Sequence, residues 1–432
     1  MNLAIRSLTI TRNTQGAAIT VNPAEGKTVT ITAYGTNNLT SSGAYAAIQK
    51  NGSGKLVLTS TTKGTINATA GNNATYGAAG IGGGTDKTLK VVSNIEINGN
   101  VIIKARGSQP SNESYAAYGA AGIGSQYNMP VDGIRISENA DVTAIGANGA
   151  AGIGSGANGD AANIEIAGGI VNATAGSGTI GSKNIGGAGI GSGATDTVSE
   201  ATNINISNTG FISIRARGNG AGIGAGLNSE TRDINIIGEV VETKGKLIVI
   251  AANGPAIGAY AADVKNVNVL TDATVNLSAE NGIAVGALNG SSASDITIIG
   301  DNICGAKAED VPVLGTVSNS VLFVGKTYEV YGTATIRKST HIKAGTTLEL
   351  PSSSKLIIPK DVELVVDPQH DNVLPGALVW AADSDAQLII NGTLTVKGTM
   401  AMDSEYGIIV LNGSLNLEEN ANIYGKFFMN GK

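Results

Sequence analysis

A repeated tetrapeptide, Ala-Gly-Ile-Gly, constrains the fold of this chain more than any other feature. Five full copies begin at Ala79, Ala121, Ala151, Ala188 and Ala221, and degenerate copies precede and follow them. The central apolar residue of each copy serves as a marker, and these markers are Ile19, Ile48, Ile81, Ile123, Ile153, Ile190, Ile223, Ile257, Val285 and Val313. The mean spacing is about 33 residues, and a regular spacing of roughly 20–50 residues indicates stacked structural repeats.

Each repeat contains three short segments that alternate like half-buried strands. The tetrapeptide, which we call the box, precedes a run such as Asn94-Ile95-Glu96-Ile97. A β-branched run ending in alanine follows, such as Val101-Ile102-Ile103-Lys104-Ala105. No segment longer than about ten residues keeps a helical period of 3.6 residues. The sequence therefore predicts an all-β fold: a right-handed, single-stranded parallel β-helix with three short strands and about 33 residues per coil.

Stacked coils place equivalent residues above one another at the strand spacing of a sheet, about 4.8 Å. The predicted core consequently has three aliphatic walls. The first wall is predicted to contain Ile81, Ile123, Ile153, Ile190, Ile223 and Ile257; the second Ile95, Ile97, Ile134, Ile136, Ile164, Ile166, Ile204, Ile206, Ile234 and Ile236; the third Val142, Ala144, Val171 and Ala173.

The box divides the chain into three predicted regions. Residues 1–78 form amino-terminal coils, 79–319 form the regular repeats, and 320–432 continue the β-helix with shorter coils and a cap. Two insertions, residues 107–119 and 176–187, lengthen individual coils. Insertions in solenoids lie on one face, which is often the binding face, although simple decoration is the alternative.

Composition and charge exclude several function classes. The net charge is −6 and no basic run exists, which disfavours nucleic acid as a partner. No run of 18 apolar residues is present, so no membrane span is expected. The single cysteine, Cys304, excludes an internal disulfide framework. The amino terminus lacks the pattern of a cleaved secretory signal, so the chain is either trimmed or not exported by that route.

The sequence contains only weak matches to motifs that indicate nucleotide binding or catalysis. Gly26-Lys27-Thr28 and Gly325-Lys326-Thr327 lack the earlier glycine of a phosphate loop, so nucleotide binding is not expected. Hydrolases need paired carboxylates, and no Asp-Asp pair occurs. We therefore predict that the chain is not an enzyme, with a polysaccharide lyase or hydrolase as the minor alternative. An outward column along the second segment is predicted to form cross-strand charge pairs and an amide ladder; it contains Glu96, Arg135, Glu165, Asn205, Asn235, Asn268 and Thr297.

Calcium is the one cofactor that the sequence leaves open. Asp132, Asp160, Asp196 and Asp233 occupy turns near the second segment, and calcium binds six to eight oxygen atoms that carboxylates and carbonyls supply. No other cofactor is expected.

Scarce tyrosines near the boxes are the candidate carbohydrate-binding residues. They are Tyr45, Tyr76, Tyr115, Tyr118, Tyr127 and Tyr260. Tyr76 and Tyr118 both stand five residues before their markers, so they are expected to be neighbours along one edge. Exposed aromatic rings on a rigid face can stack on sugars, whereas the alternative is that they cover loop bases.

The positions of the box glycines lead to a further prediction. Strand alternation places Gly80 and Gly82, and their equivalents in later coils, on the outer face if Ile81 points inward. A strip of bare backbone results. Either the chain itself packs against this strip, which is the favoured interpretation, or a flat ligand or second chain lies along it.

The combination of Gly-Ala-Gly-Ile-Gly boxes with Asn-Ile-x-Ile and Val-x-Ala-x-Ala strands resembles a group of bacterial cell-surface β-helix proteins, described as carbohydrate-binding or adhesin-like. The resemblance covers roughly residues 40–320. It implies an extracellular or cell-surface location and a polysaccharide or glycoconjugate partner. A shared fold does not determine function, so a structural or adhesive rod, such as a surface stalk or phage fibre segment that self-associates, is the alternative.

Overall fold

The computed structural model consists of strands joined by turns, without a helix in the part of the chain that it describes. Within the same residues, no helix has the length and hydrophobicity needed to cross a membrane. The described residues are 1–73, 75–84, 89–112, 119–180, 183–196, 199–207, 210–238, 246–271, 274–289, 291–299, 303–305, 316–318, 320–324, 327–336, 339–426 and 428–431.

The chain forms two compact units. The first comprises Met1–Val264, Asp272–Ser292 and Pro312–Gly315, and the second comprises Lys265–Thr271, Ala293–Val311 and Thr316–Lys432.

Three parallel sheets form the walls of the first unit, and the chain visits them in turn. The box sheet contains the strands Ile19–Val21, Ile48–Lys50, Ile81–Gly82, Ile123–Gly124, Ile153–Gly154, Ile190–Gly191, Ile223–Leu227, Ile257–Tyr260 and Val285–Leu288. The second sheet contains Asn2–Arg6, Thr28–Tyr34, Lys55–Ser60, Val92–Gly99, Val131–Ile136, Ala161–Ile166, Ser199–Ile206 and Ser229–Gly238. The third sheet contains Thr9–Thr11, Thr36–Thr40, Thr65–Thr69, Ile102–Arg106, Asp141–Ile145, Ile170–Thr174, Phe211–Arg215, Lys246–Ala251 and Thr274–Ala279.

The register confirms a parallel β-helix with three strands per coil. Ile19 pairs with Ile48, Ile48 pairs with Ile81, and the column continues through the later box markers to Val285. The column stays intact although the coils differ in length, because the additional residues leave the sheets as loops. The tenth marker, Val313, lies outside the described residues.

The predicted aliphatic walls are confirmed as the core of the first unit. Every residue predicted for the three walls is at most 3% exposed. Alternation explains this burial, since inward residues such as Ile134 and Ile136 stack on Ile164 and Ile166 of the next coil. Each coil therefore buries apolar area that it could not bury alone.

The box glycines do not form a bare outer strip; they are buried, and the chain itself packs against them. The second glycine of each box has a positive φ, such as +137° at Gly154. A Cβ at Gly154 would lie 1.9 Å from the carbonyl oxygen of Gly191 in the next coil. A Cβ at the first glycine, Gly152, would lie 2.7 Å from the backbone nitrogen of Thr174. The positive φ breaks the simple alternation on which the outer-face prediction depended.

A column of buried serines follows the box and fixes its turn. Ser155 donates a hydrogen bond from its Oγ to the carbonyl oxygen of Gly159 at 2.5 Å and accepts one from the amide of Gly193 at 2.9 Å. Ser125 repeats this arrangement with Met129 and Gly156 at 2.6 and 3.1 Å. The serines thereby satisfy polar groups that the tight turn leaves inside.

Most described strands of the second unit also stack in parallel, whereas Ser320–Val324 and Thr327–Tyr331 form an antiparallel pair. Leu348, Leu378, Met400 and Ile423 follow one another in register, at spacings of 30, 22 and 23 residues. The remaining strands of this unit are Val264–Thr271 and Ser292–Ile299, which it mostly includes, then Ile303–Gly305, Thr316–Ser318, Thr333–Thr335, Thr340–Ile342, Thr347–Leu350, Lys355–Ile358, Glu363–Val366, Ala377–Trp380, Gln387–Ile390, Thr393–Val396, Thr399–Met402, Ile408–Leu411, Ser414–Leu417, Asn422–Gly425 and Phe428–Gly431.

Candidate functional site

A cleft of about 420 Å³ lies on the first unit where strands of the third sheet end. Its lining comes from five successive coils, at the points where the chain leaves this sheet toward the next box. The lining residues are Thr69, Ala70, Asn72, Arg106, Gly107, Ser108, Gln109, Ile145, Gly146, Ala147, Asn148, Ala175, Gly176, Ser177 and Arg217.

The cleft crosses the coils, because equivalent positions of consecutive coils line it one after another. The strands that lead into it, from Thr65–Thr69 to Phe211–Arg215, pair in sequence. Four steps at the spacing of neighbouring strands give a length on the order of 19 Å. A cleft of this length and direction suits an extended chain better than a compact small molecule.

Both insertions begin at this cleft. Gly107, Ser108 and Gln109 open the first insertion, and Gly176 and Ser177 open the second. The second insertion forms an antiparallel hairpin of Ser177–Ile180 and Lys183–Gly186. The expectation that insertions mark one face therefore agrees with the placement of the cleft, whereas binding by that face is a proposal.

Glycines form a close-packed floor in the cleft. A Cβ at Gly107 would lie 2.2 Å from the carbonyl oxygen of Ala120, and one at Gly176 would lie 1.7 Å from that of Ala147. The chain can leave the third sheet this close to the backbone of the box only without a side chain. The floor consequently consists of backbone, with side chains standing at its edges.

Hydrogen bonds hold the amino-terminal part of the cleft rigid. The Asn72 Nδ2 donates to the carbonyl oxygen of Gln109 at 2.7 Å, and the Ser108 Oγ donates to that of Gly71 at 2.5 Å. The amide of Gly107 donates to the carbonyl oxygen of Ile145 at 2.9 Å, which continues the ladder into the next coil. These bonds join three consecutive coils along the cleft.

The cleft carries positive charge. Arg106 and Arg217 line it and are exposed, and no acidic side chain is among its described lining residues. Within the described part of the chain, neither guanidinium makes an ion pair. Neither arginine was among the residues predicted from the sequence. The available signal was that each directly precedes a glycine where the chain leaves the third sheet.

Along the outward column on the second sheet, the predicted cross-strand contacts form between Arg135 and Glu165 and between Asn205 and Asn235. The Arg135 Nε lies 2.9 Å from the Glu165 Oε2, and the Asn235 Nδ2 donates to the Asn205 Oδ1 at 3.0 Å. Glu96 is in register with Arg135 but bonds to the Lys55 Nζ at 2.8 Å. This hydrogen bond lowers the pKa of the Glu96 carboxyl, against a smaller opposing effect of burial.

Asn268 and Thr297 end the predicted column within the second unit. Both side chains are buried, at 4% and 3% exposure, unlike the more exposed earlier members of the column. The Asn268 Nδ2 donates to the Asn266 Oδ1 at 3.1 Å, as the Asn205 Nδ2 donates to the Asn203 Oδ1 at 2.7 Å.

Two of the candidate tyrosines contact residues next to the lining residue Asn72, although neither is itself a lining residue. The amide of Gly71 donates to the carbonyl oxygen of Tyr45 at 3.2 Å, and the amide of Tyr76 donates to the Asn73 Oδ1 at 2.7 Å. These contacts place both tyrosines beside the segment that contains Asn72. Tyr45 is half-buried, whereas 42% of Tyr76 is exposed.

The other candidate tyrosines lie elsewhere or are not described. Tyr127 is half-buried and accepts a hydrogen bond at its hydroxyl from the Asn158 Nδ2 at 3.1 Å. Tyr260 packs against a cluster of Ile185, Ala194 and Leu227. Tyr115 and Tyr118 lie outside the described residues, and so does the expected contact between Tyr118 and Tyr76.

The four candidate calcium ligands bond to neighbouring coils. The Asp132 Oδ1 accepts from the Asn163 Nδ2 at 2.5 Å, and the Asp160 Oδ1 accepts from the amide of Glu200 at 2.9 Å. The Asp233 Oδ2 accepts from Thr202 at 3.5 Å, while Asp196 donates its amide to Asn158. In the described ranges, no three His, Cys, Asp or Glu side chains converge as a metal-binding group. Calcium binding stays a prediction.

No known protein family and no curated protein sequence matches this chain. Among solved structures, the chain is similar to a TibC-catalysed, hyper-glycosylated TibA fragment at 10% sequence identity, over 98% of this chain and 100% of the fragment. The TM-score of 0.24 is too low to establish a shared fold or function.

Proposed function

We propose that this protein is a non-catalytic, cell-surface or secreted module that binds a polysaccharide or glycoconjugate in the cleft of its first unit. The observation that carries the proposal is the cleft itself, which crosses five coils and presents one polar lining along its length. A linear polymer can contact every coil, and each contact adds to the total affinity.

The lining has the chemistry that sugars require. Asn72, Gln109 and Asn148 offer amide donors and acceptors for hydroxyl groups. Ile145 contributes an apolar side chain that is 37% exposed, and Tyr76, which is 42% exposed, bonds through its amide to Asn73, next to the lining residue Asn72. An apolar patch with a few convergent polar groups is typical of ligand sites.

A glycan array, followed by pull-down with insoluble polysaccharides, tests the proposal. Ile145→Ala and Tyr76→Ala are each expected to weaken binding several-fold, because each removes apolar contact with the sugar faces. Ile170→Ala is the matched control for Ile145→Ala: Ile170 lies on the neighbouring strand of the same sheet, is 45% exposed and does not line the cleft. The proposal is refuted if the protein binds none of the glycans. It is also refuted if the Ile145 and Ile170 variants lose glycan affinity equally.

A self-assembling structural rod is the second candidate function. The second unit exposes apolar side chains on its strands Ser414–Leu417 and Asn422–Gly425: 54% of Leu417 and 60% of Tyr424 are exposed. Such exposure can support association between chains. Light scattering over a range of concentrations tests this function, and a monomer at the highest concentration contradicts it.

A further inference from the structure

We propose that the cleft selects anionic glycans, whose carboxylate or sulfate groups bind Arg106 and Arg217. This inference rests on the proposed glycan-binding function and names the ligand class of the same cleft. It depends on the charge distribution, on the absence of carboxylate partners among the residues that the structure describes, and on the spacing of the two arginines.

Charge on the first unit is separated between two walls. Strands of the third sheet contain four basic residues, Lys104, Arg106, Arg215 and Lys246, and one acidic residue, Asp141. Strands of the second sheet contain six acidic residues, Glu96, Asp132, Glu165, Glu200, Glu230 and Asp233, against the four basic residues Arg6, Lys55, Arg135 and Arg232. The cleft lies at the end of the basic wall, so its local field favours anions despite the net charge of −6.

Three basic side chains of the second sheet form ion pairs, whereas the two arginines of the cleft do not pair with described carboxylates. On the second sheet, Lys55, Arg135 and Arg232 each contact a glutamate within 3.0 Å. Among the described residues, Arg106 and Arg217 have no carboxylate partner. A guanidinium offers five donors in a planar fork that matches a carboxylate or sulfate. Within the described ranges, the cleft therefore holds guanidinium donors that no carboxylate occupies.

The spacing of the arginines suits two anionic groups on one polymer. Arg106 ends the strand Ile102–Arg106, and Arg217 follows the strand Phe211–Arg215, three pairing steps away. Three steps at the strand spacing correspond to about 14 Å. Asn148 and Gln109 also line the cleft, where they are available to sugar hydroxyls. A charged polymer can thus engage both arginines at once.

Two matched pairs of polymers test the inference by affinity electrophoresis and calorimetry: polygalacturonate against its methyl ester, and dextran sulfate against dextran. We expect at least tenfold tighter binding of one charged polymer than of its neutral counterpart. The first pair reports carboxylate recognition and the second reports sulfate recognition. Binding should weaken with added salt, because the screening length falls from about 30 Å at 0.01 M to about 8 Å at 0.15 M.

The variant Arg106→Gln/Arg217→Gln should lose at least tenfold in affinity for the charged polymer. The control Lys27→Gln/Lys246→Gln removes the same charge at exposed positions outside the cleft and should change affinity by less than about threefold, since neither lysine lines the cleft. Equal losses in the two variants would overturn the inference, because binding would then follow net charge alone.

Three further outcomes overturn it. Equal affinity for a charged polymer and its neutral counterpart shows that the cleft binds glycans without charge selection, and the proposed function then survives. Binding of polyglutamate as tightly as the charged glycans shows a general polyanion surface. Failure to bind any of the glycans on the array removes the proposed function together with this inference.

Discussion

Gly154 packs so closely against Gly191 of the next coil that a Cβ added at Gly154 would lie 1.9 Å from the carbonyl oxygen of Gly191. The same relationship joins Gly124 to Gly154 and Gly191 to Gly224, at 1.8 Å in both cases. Each second glycine of the box therefore defines how closely the next coil can stack. This explains why the box repeats glycine at this position.

Substitution of Gly154 by alanine should destabilise the first unit by about 3 kcal/mol or more, because a positive φ and a backbone clash act together. Gly26→Ala is the control: Gly26 also has a positive φ, +67°, but a Cβ added there would meet no other atom within 4 Å. We expect about 1 kcal/mol there from backbone strain alone. Denaturant titration measures both, and equal effects would contradict a role in coil stacking.

Substitution of Ser155 by alanine should reduce the free energy of unfolding by about 2–4 kcal/mol. The change leaves the carbonyl oxygen of Gly159 and the amide of Gly193 without their partner in a fully buried site. Ser207→Ala, at an exposed position, should change stability by less than about 0.5 kcal/mol. A small effect at Ser155 would show that other groups form hydrogen bonds with the Gly159 carbonyl oxygen and the Gly193 amide.

The ion pair between Arg135 and Glu165 should contribute little to stability although it is well formed. Its side chains are 45% and 43% exposed. A double-mutant cycle with alanine should give a coupling energy of about 0.2–1 kcal/mol that decreases with added salt. A salt-independent coupling well above this range would contradict the expectation that the column is a solvated surface feature.

Substitution of Lys50 by methionine should stabilise the protein at neutral pH. Lys50 is 1% exposed, and burial lowers its pKa to about 8 from 10.5. Between these values the unfolded state holds a proton that the folded state has released, so the free energy of unfolding rises with pH from about 8 to about 10.5. Below pH 8 both states are protonated, and the penalty for the buried charge is fully present.

The advantage of the Lys50→Met variant should consequently be largest below pH 8 and shrink as pH rises toward 10.5. Thermal unfolding across this range measures the difference. Lys27→Met, which removes an exposed charge, serves as the control and should show no such pH trend. A constant difference for the Lys50 variant at all pH values would contradict the assignment of this pH dependence to Lys50.

The periodic sequence alone determined the architecture and the core of the first unit. Residues such as Ile134 and Ile164 occur at equivalent places in successive repeats, and stacking is the arrangement that buries them together. The insertions were also visible in the sequence, because additional residues between in-register strands must leave the sheets. These features depend on local alternation and on repeat spacing, which a single chain displays directly.

Only the tertiary structure decided the orientation of the box glycines and the composition of the cleft. Strand alternation assumes an extended backbone with negative φ. Gly154 has a positive φ, so a side chain at this position would point toward the adjacent coil. Arg106 and Arg217 are more than 100 residues apart in the chain, and five coils must stack before they line one cleft. Neither arginine pairs with a carboxylate of the described chain, and which carboxylates lie nearby is a property of stacked coils rather than of one repeat.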